Sequence, residues 1–348
     1  ADPITWESLN NGYVTSQFYT VAIEEGWATN DIVVGGTQDN GTSWTNSEDI
    51  EDDWEWVFYG DGAYCAIPEG RDNYYLSWQT GKTFKFEIDD DGNVLGLTRI
   101  DPALAGGHLF INPFILDKND QNIMYMTIGR YIWRNDSLDA IPIIGDEYNP
   151  IEQGWQRVQE SYIGFDVQQP SISCLEISRE PAHILYYGTS AGGMFRLDDA
   201  HAVEPVQTDI KNGLPNGYVS SVAVDPMNAD KVIVTFSNYN IVSIFLTEDG
   251  GQTWQSISGN LEENPDGSGN GPAVYWANIY NTGDTSIYYI GTSVGLYSTG
   301  TLDGDNTVWE QEGAGTIGNV VINMIKSRIS DGLVTVACLL YTSDAADE

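Results

Sequence analysis

Two aspartates stand where the chain could act on a neutral substrate. Asp39 lies in Thr37–Trp44 (TQDNGTSW) and Asp61 in Tyr59–Gly62 (YGDG). Two carboxyl groups can serve as base and acid in glycoside hydrolysis, with inversion when they stand roughly 6.5–9.5 Å apart. Both also sit in Gly-flanked turns, where Asp is favoured on backbone chemistry alone. Six further residues are candidate ligand contacts: His108, Arg130, Asp166, Gln169, Tyr239 and Trp276. Carboxylates and amides bond sugar hydroxyls and aromatic faces stack on sugar rings, so this set suits a neutral carbohydrate better than an anion. Plainer roles compete: His108 as a structural hydrogen-bonder, Arg130 as a surface charge, Trp276 as core. Nucleophile elbows, P-loops and zinc-ligand spacings are absent from the sequence.

Whether these side chains meet depends on the elements that carry them, and those elements repeat. In the clearest copy, Tyr218–Ser258, YVSSVAVDP reads as strand a, DKVIVTFS as b, IVSIFLTEDGG as c with its turn, and TWQSIS as d. Ser16–Trp44, Gly62–Asp89, Leu109–Asp136, Ser171–Asp199 and Ala273–Gly300 align on it, and Asn319–Ala337 stops after strand b. A period of roughly 40–55 residues is that of propeller blades. A lone four-stranded sheet cannot bury both faces, whereas blades packed around an axis do so and leave only short edges. The expected fold is an all-β propeller of about seven four-stranded blades, the last incomplete, spanning residues 1–337 as one domain. Thr5–Leu9 (TWESL) reads as a strand d that could complete the blade beginning at Asn319 or belong to an upstream blade absent from this sequence. Residues 338–348 (CLLYTSDAADE) break the pattern, resemble translated adapter sequence, and are set apart from the fold.

Composition narrows the partners. The 348 residues carry 51 Asp plus Glu against 14 Lys plus Arg, a formal net charge of -37. Such a surface repels phosphate backbones and anionic membranes, which argues against nucleic acid. Apolar runs fall short of the ~18 residues of a spanning helix, so no membrane insertion is expected. Three Cys make no disulfide framework, and Cys65 and Cys174 fall in apolar strands. The chain opens at Ala1 without a signal-peptide pattern and reads as a fragment of an extracellular or cell-surface protein. No cofactor is implied. Asp89–Asn93 (DDDGN) and Asp303–Asn306 (DGDN) leave calcium as an alternative to simple hairpin turns, without the spacing of a twelve-residue EF-hand loop.

Thr247–Trp254 (TEDGGQTW) matches the Asp-box pattern Ser/Thr-x-Asp-x-Gly-x-Thr-Trp at Thr247, Asp249, Gly251, Thr253 and Trp254, and Thr301–Trp309 (TLDGDNTVW) is a degenerate copy. The chain therefore resembles the Asp-box or BNR propellers: sialidases, xyloglucanase-type glycoside hydrolases, sortilin-like receptors and secreted bacterial BNR proteins. The resemblance implies that Asp249 caps a c–d hairpin and that Trp254 packs between blades. Thr37–Trp44 also fits the pattern, but it follows strand b. Its register puts Asp39 in a b–c turn, on the face that such propellers generally use for ligands, with the d–a connections that hold Asp61. The eight Arg are scattered and the sialidase Arg-Ile-Pro motif is absent, so a sialidase is not expected. Resemblance to the xyloglucanase type implies Asp39 as catalytic base. In that family the acid comes from a second propeller, just before a Pro-Phe pair; the nearest local match here is Asn112 in Ile111–Phe114 (INPF), and Asn cannot donate the proton. The expected function is a non-catalytic module binding a polysaccharide, another glycan or a protein. The alternative is an inverting glycoside hydrolase of xyloglucanase or endo-glucanase type, using Asp39 as base with Asp61 or an accompanying domain supplying the acid.

Overall fold

The computed structural model describes residues 16–26, 31–47, 49, 52–70, 73–102, 105–164 and 169–339. Thr5–Leu9 and residues 340–348 lie outside them. Among the described residues, six antiparallel four-stranded sheets follow one another along residues 18–58, 62–99, 114–158, 172–209, 219–256 and 274–312, each with its strands in chain order. A seventh sheet has two strands, Val321–Ser327 and Val334–Leu339. The expectation of about seven four-stranded blades is thus corrected to six, with a two-stranded sheet after them. Its second strand runs through Cys338 and Leu339, which pair with Ile322 and Val321. These two residues therefore belong to the fold although the repeat pattern set them apart.

Burial follows the radial logic of a propeller. First strands such as Ile172–Ile177 and second strands such as Met124–Ile128 and Leu185–Thr189 are buried along their whole length. Side chains on both of their faces are buried, so they lack the strict polar–apolar alternation of a half-exposed strand. The outermost Val206–Asp209 is half-buried or exposed throughout and is polar at three of its four positions.

The core is a set of inter-sheet layers. Val34, Trp44, Phe58, Leu76 and Phe84 pack blade 1 on blade 2, and Tyr75, Phe114 and Met124 pack blade 2 on blade 3. Similar layers join each later pair. The last one closes the circle, with Val21 of blade 1 against Met324 and Ala337 of the seventh sheet. Closure is reinforced by a bridge between Gln17 and Leu339 and by the Asn323 amide donating to the Phe18 carbonyl at 3.1 Å.

Candidate functional site

The rim between blades 1 and 2 is built by backbone contact. Gly36 of strand b in blade 1 lies against strand a of blade 2. A Cβ on Gly36 would meet the Ala63 carbonyl oxygen at 2.3 Å and the Gly62 carbonyl carbon at 2.8 Å. Only glycine permits this approach. It carries the turn between Val33–Thr37 and Gly41–Thr45 onto the connection at Asp61. Asp39 occupies that turn with φ 60°, a left-handed conformation that Asp tolerates better than most residues. Its backbone N–H donates to Asp61 Oδ1 at 2.8 Å. The Gly41 N–H donates to the Gly60 carbonyl at 2.8 Å, and the Asp61 N–H to Gln79 Oε1 at 3.0 Å. The two aspartates are thereby brought together, Asp39 exposed and Asp61 half-buried.

Tyr19 and Trp56 border this pair. Tyr19 is half-buried. Burial, then the charges of Asp61 and Asp39, raise its phenol above the ordinary value, which keeps it a hydrogen-bond donor. Trp56 is 63% exposed, and its indole N–H is tied to the Asn40 carbonyl at 3.1 Å, beside Asp39. Trp54 is 42% exposed and stands 5.4 Å from the Phe18 ring. Tyr59 is held by a hydrogen bond to the Glu147 carboxylate. Burial and that bond push its phenol up to about 12. Sequence reasoning missed Tyr19, Trp54, Trp56 and Gln79. The i, i+2 spacing of Trp54 and Trp56 ahead of the Asp61 turn was the available signal, because alternate strand residues share a face.

The other predicted contacts are distributed around the ring. His108 packs against Gly81, its Nε2 is buried without a hydrogen-bond partner among the described residues, and burial lowers its pKa. Asn112 is buried, accepting from the Leu109 N–H at 2.9 Å and donating to the Thr127 carbonyl at 2.9 Å. Its amide is consumed by the fold. Arg130 lines a cleft beside blade 3. Gln169 is exposed ahead of blade 4 and Tyr239 is exposed on blade 5. Asp166 lies outside the described residues. Trp276 stands inside the ring, lining an axial cavity of about 80 Å³ with Tyr64 and Met324. It leaves the rim because an inner-strand side chain of that size fills the axis.

The same cavity is lined by a charged cluster that the repeat pattern did not reveal. Lys326 Nζ is 2.6 Å from Glu25 Oε1, Lys118 Nζ is 2.8 Å from Glu176 and 3.7 Å from Glu25, and Arg179 is 3.2 Å from Glu69.

The remaining predicted motifs are turns. Thr247 Oγ1 donates to Asp249 Oδ1 at 2.7 Å, and Asp249 accepts from the Thr253 N–H at 2.9 Å and hydroxyl at 2.7 Å. The Gly251 N–H donates to Thr247 Oγ1, and the Trp254 indole donates to the Ile210 carbonyl of blade 4 at 2.7 Å. Asp89 Oδ1 accepts from the backbone of Asp91 and Asn93. Among the described residues, no helix is long and apolar enough to cross a membrane.

No family model matches the chain. Over 212 residues, 57% of the chain, the sequence is 24% identical to the oligoxyloglucan-reducing end-specific xyloglucanase of Emericella nidulans (strain FGSC A4). The match covers 24% of that protein, so the chain spans about a quarter of its length. The structure is similar to YCF48 from Cyanidioschyzon merolae at a TM-score of 0.59 and 12% identity, over 93% of this chain and 94% of that one. The fold is a β-propeller. Its similarity to the xyloglucanase is distant, and its likeness to YCF48 is one of fold alone.

Proposed function

We propose that this chain is a glycan-binding, non-catalytic propeller module of a secreted or surface protein, recognising a neutral β-linked oligosaccharide at the rim of blades 1 and 2. One observation carries the reading: Asp39 and Asp61, joined at 2.8 Å, lie beside the exposed indole of Trp56. Free carboxylate oxygens, the Tyr19 phenol and the Gln79 amide can bond hydroxyls, and the indole can stack on a sugar ring. The distant xyloglucanase similarity supports a plant-type glucan as ligand. The hydrogen-bonded turn at Thr247–Trp254 supports placing the chain among Asp-box propellers.

The same similarity favours hydrolysis as a second reading, with Asp39 as base. Against it, one Asp61 oxygen is occupied by the Asp39 N–H, and the matching Asn112 is buried in structural bonds. Calorimetry with xyloglucan and cello-oligosaccharides, alongside a reducing-end assay, separates the two. Binding without release of reducing ends is expected, and Trp56→Ala should weaken it about tenfold or more. Release of reducing ends that Asp39→Ala abolishes would establish the hydrolase. Unchanged affinity in Trp56→Ala would remove the rim as the site.

A further inference from the structure

A cleft of about 630 Å³ opens beside blade 3. Its floor is one face of that blade's outer half. Tyr131 and Trp133 alternate along Tyr131–Asn135, and Trp155 and Arg157 alternate along Trp155–Val158. The register sets Trp133 opposite Arg157, so the four side chains project to the same side. Arg130, Glu152, Pro102, Ala105 and Gly106 form the walls.

The floor is pre-arranged. The Trp155 indole N–H donates to the Ile100 carbonyl, which fixes that ring to the end of blade 2. The Arg157 guanidinium lies 4.5 Å from the centre of the Tyr131 ring and donates to Gln159 Oε1 at 3.3 Å. Tyr131 is in turn stacked on Tyr162 at 4.9 Å. An exposed arginine is thus oriented before any ligand arrives, which lowers the ordering cost of binding.

The chemistry of this cleft differs from that of the rim. Indole surfaces suit the C–H face of a sugar ring, and a planar guanidinium suits a carboxylate, which it can bind through two parallel hydrogen bonds. The chain has only eight Arg, and two of them line this one cleft. With a net charge of -37, a polyanion would be repelled at long range, whereas a single carboxylate delivered into the cleft, which Glu152 also lines, can reach the Arg157 guanidinium by direct hydrogen bonding, which favours one acidic group over many. We propose that this cleft is a second carbohydrate site, selective for a short oligosaccharide bearing one uronic acid, with Arg157 on the carboxylate and Trp133 and Trp155 against the sugar. The proposal stands independently of the rim.

Titration calorimetry with xylotetraose carrying one glucuronic acid, with unsubstituted xylotetraose and with a pentapeptide bearing one glutamate tests it. The acidic oligosaccharide should bind at least tenfold more tightly than the neutral one. Arg157→Gln should erase that preference, and Lys211→Gln, which removes a half-buried charge just past the last strand of blade 4, should preserve it. Arg157 is exposed, so its variant is expected to fold, and an unchanged Tm verifies this. Equal affinity for both sugars, binding of neither, retained preference in Arg157→Gln, or equal binding of the peptide each overturns the proposal.

Discussion

Lys326 and Glu25 stand on the last inner strand and just beyond the first, so their ion pair ties the two ends of the ring. Replacing Lys326 by Met keeps much of the aliphatic stem and removes the charge. Breaking a fully buried pair from one side costs about 3–5 kcal/mol. Here the Glu25 side chain is 30% exposed, Lys326 is 16% exposed, and Lys118 remains 3.7 Å from Glu25. The expected loss is therefore about 1–3 kcal/mol, or about 2–12 °C in Tm at roughly 2–4 °C per kcal/mol for a large domain. The pH dependence follows from the same contacts. Burial pushes the Glu25 carboxyl up, but Lys326, Lys118 and Arg179 outweigh it and bring the pKa from 4.5 to about 2. A folded-state value below the unfolded one stabilises fully above about pH 4.5, and that share is lost as pH falls toward about 2. Without Lys326 the carboxyl rises, and the acid limb of the stability curve moves to higher pH. Thermal unfolding of wild type, Lys326→Met, Glu25→Gln and the double variant between pH 2.5 and 7 measures both effects. Strictly additive losses in the double variant, or an acid limb unmoved by Lys326→Met, would refute the coupling of these two strands.

Three further outcomes are expected. Gly36→Ala should lower stability by about 1–3 kcal/mol in urea unfolding, because the added Cβ meets backbone atoms of blade 2, and it should weaken neutral-glycan binding in parallel. Asp249→Asn should lower Tm at pH 7 and lose that deficit in acid. The hydrogen bonds from Thr253 and Thr247 hold the Asp249 carboxyl at about 2, so its stabilising share is present above 3.8 and fades as pH falls toward about 2. Chelator should leave Tm unchanged at the Asp89–Asn93 turn, where the carboxylate already accepts backbone and side-chain N–H groups of Asn93; a drop in Tm restored by calcium would show a bound ion instead.

The propeller was legible because its information is local and repeated. The copy read as Tyr218–Ser258 contains the observed strands Val219–Asp225, Asn228–Phe236, Ile244–Thr247 and Gln255–Ser256. Asp39 and Asp61 could be drawn toward one another because each occupies a turn whose register the repeat defines. The remaining site chemistry is non-local. Nothing near Glu25 in the sequence announces Lys326 or Lys118, which reach it from the seventh sheet and from blade 3. Trp276 lies on a strand of ordinary pattern, and only the inward turn of that strand decides that it fills the axis. The cleft over Trp133 and Trp155 depends on two strands separated by a long excursion between Asn135 and Trp155, which the repeat alignment passed over.

The contact of Gly36 with Ala63 also bears on what occupancy of the rim would do. Its recognition groups are contributed by two sheets that can separate when the ring opens, so a bound sugar would act as a cross-brace between them. A ligand held only by the closed arrangement adds RT ln(1 + [L]/Kd) to its stability, about 2.7 kcal/mol at a hundredfold excess over Kd. Melting curves in the presence of candidate glycans would then register recognition directly, whether or not any bond is cleaved.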